Sequence, residues 1–217
     1  MQPLNIDLKG KKIVIVGGGR IAARKAKVLS AEQAEISFIA PELSEEVRQL
    51  AETYEYQLFE RTAVPSDFHE AMLVILATNN REVNSSLAGM MSANQLVCVV
   101  DESGEGNVTF PATVRRGYLQ IAVTSNGASP KLTRKLKKEL EQQFEESWIS
   151  YTNWLYEMRQ TVKQLQIPFE EKQQILLEIL GEDYLDEMYR DSLTLEKVVD
   201  RAIPGKLYRV SIDNRYI

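Results

Sequence analysis

Cysteine and histidine are almost missing from this chain: among 217 residues there is one of each, Cys98 and His69. A lone thiol excludes an intramolecular disulfide and every Cys-x-x-Cys metal or redox site, and a lone imidazole excludes a histidine-rich metal cage. Long apolar runs are missing too. The longest, Ala71–Ala77, falls far short of the roughly 18–20 residues that a membrane span needs. The first residues, Met1-Gln-Pro-Leu-Asn-Ile-Asp-Leu8, carry no basic stretch ahead of an apolar core, so no secretory signal is expected. These absences point to a reduced, soluble, cytoplasmic protein without a membrane partner. Cys98 reads as a buried strand residue, and His69 as a structural or surface residue.

The net charge of −5 argues against general nucleic-acid binding. The charge is unevenly placed. From Pro111 to Lys138 seven basic residues (Arg115, Arg116, Lys131, Arg134, Lys135, Lys137, Lys138) stand without one acid, so the rest of a chain of net charge −5 carries −12. A local positive field in an acidic protein suits one specific anionic partner. For Lys137 and Lys138, a solvated helix face accounts for the charges equally well.

What the chain does have is alternation. Lys12–Val16 is a short run of β-branched residues ending in three glycines, as expected of a buried parallel strand. Arg20–Ser30 reads as a helix, Glu35–Ala40 as a strand stopped by Pro41, and Ser44–Tyr54 as a helix capped by Ser44. Strands follow at Glu55–Phe59, Met72–Ala77, Leu96–Val100 and Leu119–Thr124, with a helix from Arg81 to Ala93. Such alternation predicts a parallel sheet with right-handed crossovers. After Ser129 the pattern is helical, at Pro130–Met158, Phe169–Leu180 and Leu193–Ala202, with a strand expected only at Leu207–Ile212. The expected fold is therefore α/β, a doubly wound parallel sheet over residues 1–113, a linking segment 114–145 and a helical C-terminal domain 146–217.

Gly17-Gly18-Gly19-Arg20-Ile21-Ala22 fits G-x-G-x-x-A at the first strand-to-helix turn. Gly17 permits the tight turn, Gly19 leaves room for a pyrophosphate, and Ala22 lets the helix approach the sheet. The helix N-terminus offers N–H groups and partial positive charge to the phosphates. The acid that usually ends the second strand is absent: the chain reads Ile39-Ala40-Pro41, with Glu42 the nearest carboxylate. No Arg or Lys stands there for a 2′-phosphate, which favours NAD over NADP and leaves ribose recognition to backbone groups around Ala40.

Reacting groups belong at the carboxyl ends of later strands. None of the nine tyrosines has a lysine four places on, so the Tyr-x-x-x-Lys couple is absent. Without a Cys–His pair or a second histidine, the remaining candidate is a carboxylate. Asp101, directly after Leu96–Val100, can serve as a general base if partly desolvated, though a turn-forming Asp before Ser103-Gly104 would look the same. A second cluster, Thr124–Pro130, places Ser129 as N-cap and Pro130 as first helical residue. With Lys131, Arg134 and Lys135 behind it, this loop makes an anion-binding corner.

These segments resemble the NAD-dependent precorrin-2 dehydrogenase family, which occurs alone or as the N-terminal module of siroheme synthase. The resemblance runs through Gly17–Lys25, Ile39–Leu43, Ala77-Thr78-Asn79-Asn80-Arg-Glu-Val-Asn84, Val99–Asp101, Phe110–Gly117 and Ile121–Pro130, in order and spacing over roughly Leu8–Glu141. It implies a Rossmann domain and a homodimer whose middle segment is exchanged or intertwined, so that 114–145 becomes a dimerisation and substrate-loop segment. It also implies NAD at Gly17–Ala22, Ala40, Pro41, Thr78 and Asn79, and catalysis by Asp101. Substrate contacts are implied at Ser125, Asn126, Gly127 and Ser129, with Arg115, Arg116, Lys131 and Arg134 meeting the carboxylates of precorrin-2. Asn79-Asn80 stand where family members commonly carry acids, and Asn126-Gly127 where they carry Gly-Gly. The product would be sirohydrochlorin, for siroheme or cobalamin, with metal insertion either on the same protein or after hand-over to a separate chelatase. A regulatory module that senses NAD without turnover is the competing reading; such modules typically keep the ribose-binding acid that this chain lacks. A scaffold that has lost catalysis is disfavoured by Asp101 and the glycine turn.

Overall fold

The structure is a computed structural model that describes residues 1–100 and 104–205. It divides into two compact units, Met1–Phe110 and Pro111–Ile217.

The first unit contains β1 (Lys12–Val16), α1 (Arg20–Leu29), β2 (Glu35–Ile39), α2 (Glu45–Tyr54), β3 (Gln57–Phe59), β4 (Leu73–Leu76), α3 (Arg81–Ala88) and β5 (Leu96–Val99). Its five strands lie in the order β3-β2-β1-β4-β5, every neighbouring pair parallel. Both faces are covered, as the unbroken apolar strands require. Ile13, Ile15, Ile75 and Cys98 point into one cluster with Ala22, Ala26 and Leu29 of α1 and Val47 of α2. Val14, Val16, Val74, Leu76 and Val99 point into the other, with Phe68 and Leu87. Ala22, Ala23 and Ala26 are fully buried, and their small side chains bring α1 close to the sheet. Ser44 caps α2 by accepting from the Val47 N–H. Cys98 is buried in β5, which raises its thiol pKa, and His69 is exposed just before β4.

Helix α3 is shorter than its apolar spacing predicts, ending at Ala88 rather than running to Ala93. Beyond Gly89 the chain is held in turns. The Gln95 side chain accepts from the Ser92 N–H (2.9 Å) and donates to the Ala71 carbonyl (3.0 Å), which directs the chain into β5.

The second unit opens with β6 (Ala112–Arg116) and β7 (Leu119–Val123), an antiparallel hairpin separate from the parallel sheet. Strand β6 was not expected. Gly117 turns the chain at φ 57°, and Thr152 locks the turn: its hydroxyl donates to the Arg116 carbonyl (2.9 Å) and accepts from the Tyr118 N–H (3.1 Å). Helices α4 (Pro130–Gln143), α5 (Ser147–Gln164), α6 (Phe169–Glu178), α7 (Glu187–Asp191) and α8 (Leu195–Ala202) follow. The single helix expected over Pro130–Met158 is two. Phe144 leaves helical geometry at φ −108°, ψ 86°, its carbonyl accepts from Arg116 Nε (2.8 Å), and its ring meets Trp148 edge-on. A tertiary hydrogen bond thus replaces the helical one. The C-terminal helices close around Tyr151, Val162, Ile175, Ile179, Tyr184 and Val198, with Arg190 buried among Tyr151 and Trp154. The strand expected at Leu207–Ile212 lies outside the described residues.

Candidate functional site

The strand order reverses direction between β1 and β4, and the crevice at the carboxyl ends of those strands is where an open α/β sheet takes a ligand. Three segments meet there. The Gly17 N–H donates to the Ile39 carbonyl (3.0 Å), the Ala77 N–H to Val16 (2.8 Å) and the Ser44 N–H to Gly18 (2.8 Å). The glycine turn, the end of β2 and the end of β4 are therefore one hydrogen-bonded rim.

Within the rim the three glycines do different things. Gly17 has φ 132°, and a Cβ there would run into the Ala77 carbonyl. A Cβ on Gly18 would run into the Glu42 carbonyl and Leu43, a close approach that G-x-G-x-x-A spacing does not foretell. Gly19 is exposed, and a Cβ on it would meet nothing within 4 Å. It caps α1 without a side chain, so the ground before the helix N-terminus stays open to an anion. Behind this opening, Arg20 is exposed, Ile21 is half-buried and Ala22 is buried against the sheet. These residues fit a dinucleotide pyrophosphate: an uncrowded backbone, helix N–H groups and no acid in the first turn of α1.

Ala40 is buried and its N–H donates to the Phe59 carbonyl (3.1 Å), so that group is committed to the sheet. Pro41 and Glu42 are exposed beside it. At the end of β4, Thr78 turns inward. Its N–H and hydroxyl donate to Asn84 Oδ1 (3.3 and 2.6 Å), and its carbonyl accepts from Asn84 Nδ2 (3.2 Å). Asn80 caps α3 through the Val83 N–H (3.2 Å), and Asn79 is exposed. The sequence reading missed Asn84. The signal was a polar residue on the apolar stripe of α3, one turn ahead of Leu87. Asp101, the expected base, lies outside the described residues.

The second unit holds the expected substrate-loop residues. Asn126 and Gly127 are both left-handed (φ 48° and 85°), and asparagine is the side chain that best tolerates the position where family members carry a first glycine. Ser125 Oγ accepts from the Ser129 N–H (3.0 Å) and the Thr133 hydroxyl (3.2 Å), and Ser129 Oγ accepts from the Leu132 N–H (3.2 Å). Each serine thus spends lone pairs on the loop and keeps its own proton to donate. Lys131 and Arg134 are exposed on the first turns of α4, and Arg115 is exposed on β6. Arg116 is different: its side chain is only 15% exposed and bonds the Phe144 and Arg115 carbonyls, with Glu146 at 3.8 Å. It joins the hairpin to the break after α4. Lys135 and Lys137 form exposed pairs with Glu139 (3.7 Å) and Glu141 (3.4 Å), the solvated arrangement that their spacing also allowed.

Comparison with known proteins covers nearly the whole chain. An NAD(P)-binding family matches residues 4–112, the sirohaem biosynthesis protein central family residues 116–143, and the SirC C-terminal domain family residues 148–192. The precorrin-2 dehydrogenase of Priestia megaterium is 32% identical over 91% of this chain and 95% of its own length. That of Bacillus subtilis (strain 168) is 38% identical over 73% of this chain and 98% of its own. The solved structure of SirC, precorrin-2 dehydrogenase, superposes with a TM-score of 0.79 at 29% identity, covering 93% of this chain and 98% of that one.

Proposed function

The chain belongs to the precorrin-2 dehydrogenase family, and from that premise we propose that it oxidises precorrin-2 to sirohydrochlorin with NAD in siroheme biosynthesis. The observation that carries this reading is the match in sequence, length and fold to precorrin-2 dehydrogenases, together with an open glycine turn at the switch point of a parallel sheet. Nicotinamide, when bound, accepts a hydride; the macrocycle also gives up a proton. In this chain the turn at Gly17, Gly18 and Gly19 would seat the pyrophosphate at the N-terminus of α1, with Arg20 and Ile21 supplying N–H groups. Asp101 would take the proton, the role in which a strand-end carboxylate near the macrocycle is useful. The Ser125–Ser129 loop, with Lys131, Arg134 and Arg115, would hold substrate carboxylates through hydroxyl donors and cationic charge. Arg116 would help indirectly, by fixing the hairpin.

A homodimer and a cytoplasmic location are part of the proposal. Helix α4 buries none of its residues in the single chain, and Leu132 and Leu136 stand exposed on it at i, i+4. A second copy would cover these surfaces and make 114–145 the dimerisation segment. Among the described residues no helix is long and apolar enough to cross a membrane, in keeping with the cytoplasmic reading.

The test is anaerobic incubation of the purified protein with precorrin-2 and NAD, following NADH and the sirohydrochlorin spectrum. Conversion that requires NAD and is lost in Asp101→Ala, with NADH binding retained, is the expected result. Binding of NAD without conversion would refute the enzyme and leave a sensor. Adding Fe²⁺ or Co²⁺ to the product then asks whether the same protein inserts metal or passes sirohydrochlorin to a separate chelatase.

A further inference from the structure

Among the buried polar side chains of the first unit, Asn84 stands out for what it holds. It is 5% exposed, and both ends of its amide are spent on one residue, Thr78. Thr78 is the first residue past the point where Ala77 passes beneath Gly17, so it borders the crevice at the end of β4. Thr78 lies two residues past Leu76, the last residue of β4 in register with β1 and with β5. Asn84 pairs with both of its backbone polar groups. Oδ1 accepts the backbone N–H and the hydroxyl, and Nδ2 donates to the carbonyl, so one side-chain amide holds Thr78 at both backbone groups. The Thr78 hydroxyl also accepts from the Asn80 N–H (3.2 Å), which folds the loop back toward α3.

We propose that Asn84 is a positioning residue for the dinucleotide: by turning every polar group of Thr78 inward, it shapes the Thr78–Asn80 loop and presents Asn79, rather than Thr78, to NAD. This rests on the NAD-dependent reading above. Loss of the Asn84 amide leaves the half-buried N–H and carbonyl of Thr78 unpaired, and the loop spreads over other conformations. Because only the closed loop suits the cofactor, the apparent Kd rises in inverse proportion to the closed fraction. A loop closed in one molecule in ten binds about tenfold more weakly.

The experiment is NADH titration, by quenching of protein fluorescence or by nicotinamide emission, of wild type, Asn84→Ala and Thr78→Val, each with a melting curve. Steady-state assays with precorrin-2 follow for the same three proteins. Asn84→Ala is expected to raise the NADH Kd and the KM for NAD about tenfold, with kcat at saturating NAD and the KM for precorrin-2 within about twofold of wild type. Thr78→Val keeps both backbone bonds to the amide but loses the hydroxyl's bonds to Asn84 Oδ1 and to the Asn80 backbone, so it shifts NADH affinity in the same direction. It also serves if Asn84→Ala fails to fold. Folded variants that bind NADH as wild type does, whatever their melting temperatures, overturn the proposal and leave Asn84 a purely structural residue. Failure of wild type itself to bind NADH would instead overturn the cofactor reading.

Discussion

Adding one methyl group to the glycine turn should have opposite consequences at two positions two residues apart. In Gly17→Ala, the new Cβ points into the Ala77 carbonyl, a backbone atom of the sheet core that cannot step aside, at a φ of 132° that L-residues rarely adopt. Backbone strain of about 1–3 kcal/mol and overpacking of similar size together predict a loss of about 2–6 kcal/mol. Against a domain stability of about 5–15 kcal/mol, that is enough to lower the midpoint of a urea transition markedly, or to prevent folding. In Gly19→Ala the Cβ meets nothing within 4 Å, and φ −96°, ψ −173° is ordinary extended backbone for alanine. Stability should therefore change by less than about 1 kcal/mol. The methyl group does occupy the open ground before the α1 N-terminus, and NADH should bind at least about 100-fold more weakly, roughly 2.7 kcal/mol. Far-UV circular dichroism in urea measures the first quantity and NADH titration the second. A Gly19→Ala protein with wild-type NADH affinity would refute the placement of the pyrophosphate at this turn. A Gly17→Ala protein of wild-type stability would refute the close-approach argument.

Two further outcomes test the rest of the molecule. Thr152→Val should cost about 1–3 kcal/mol, because it leaves the Tyr118 N–H and the Arg116 carbonyl without their partner. Both tryptophans, Trp148 and Trp154, pack against the core cluster of the second unit, so their fluorescence in urea reports the change where it occurs, and an unshifted transition would exclude Thr152 as the lock on the hairpin. Asp67→Asn bears on pH: the Arg61 guanidinium, bonded at 2.6 and 2.8 Å, and the Val64 N–H hold the Asp67 carboxyl below its ordinary value of 3.8. A lowered native pKa stabilises the fold above the unfolded value, and that contribution is lost as pH falls through the native one. Asp67→Asn should thus cost about 1–2 kcal/mol at pH 7 and progressively less below about pH 4, converging on wild type in acid. A difference that stays constant down to pH 2 would refute the pairing.

Much of the first unit was legible in the sequence because its signals are local. A β-branched run before Gly17, alanines at helical spacing in α1 and a cap at Ser44 each describe their own neighbourhood, and the strands they imply pair in parallel as expected. Strand β6 escaped because Ala112–Arg116 carries two arginines and lacks a continuous apolar face; its partner across Gly117 is what makes it a strand. The break at Phe144 escaped for the same kind of reason, since nothing between Pro130 and Met158 disfavours helix except a hydrogen bond from Arg116, far back in the chain. Among the site residues, the chemistry of Arg115 and Arg116 looked alike on paper. Only one of them is committed to the Phe144 carbonyl, and the hairpin register, not the residue type, makes the difference.

Residue order alone determined that a parallel sheet forms, that a three-glycine turn follows its first strand and that basic charge gathers behind a serine loop. Hydrophobic period, glycine placement and capping act within a few residues, so they can be read without coordinates. The tertiary structure decided which groups remain available once the chain has closed on itself. It tied up the Ala40 N–H and every polar group of Thr78, left Gly19 open and used Arg116 as a strut. Those outcomes depend on partners brought together by the fold from distant or differently facing positions, because a donor pairs with whatever acceptor the packed backbone sets before it.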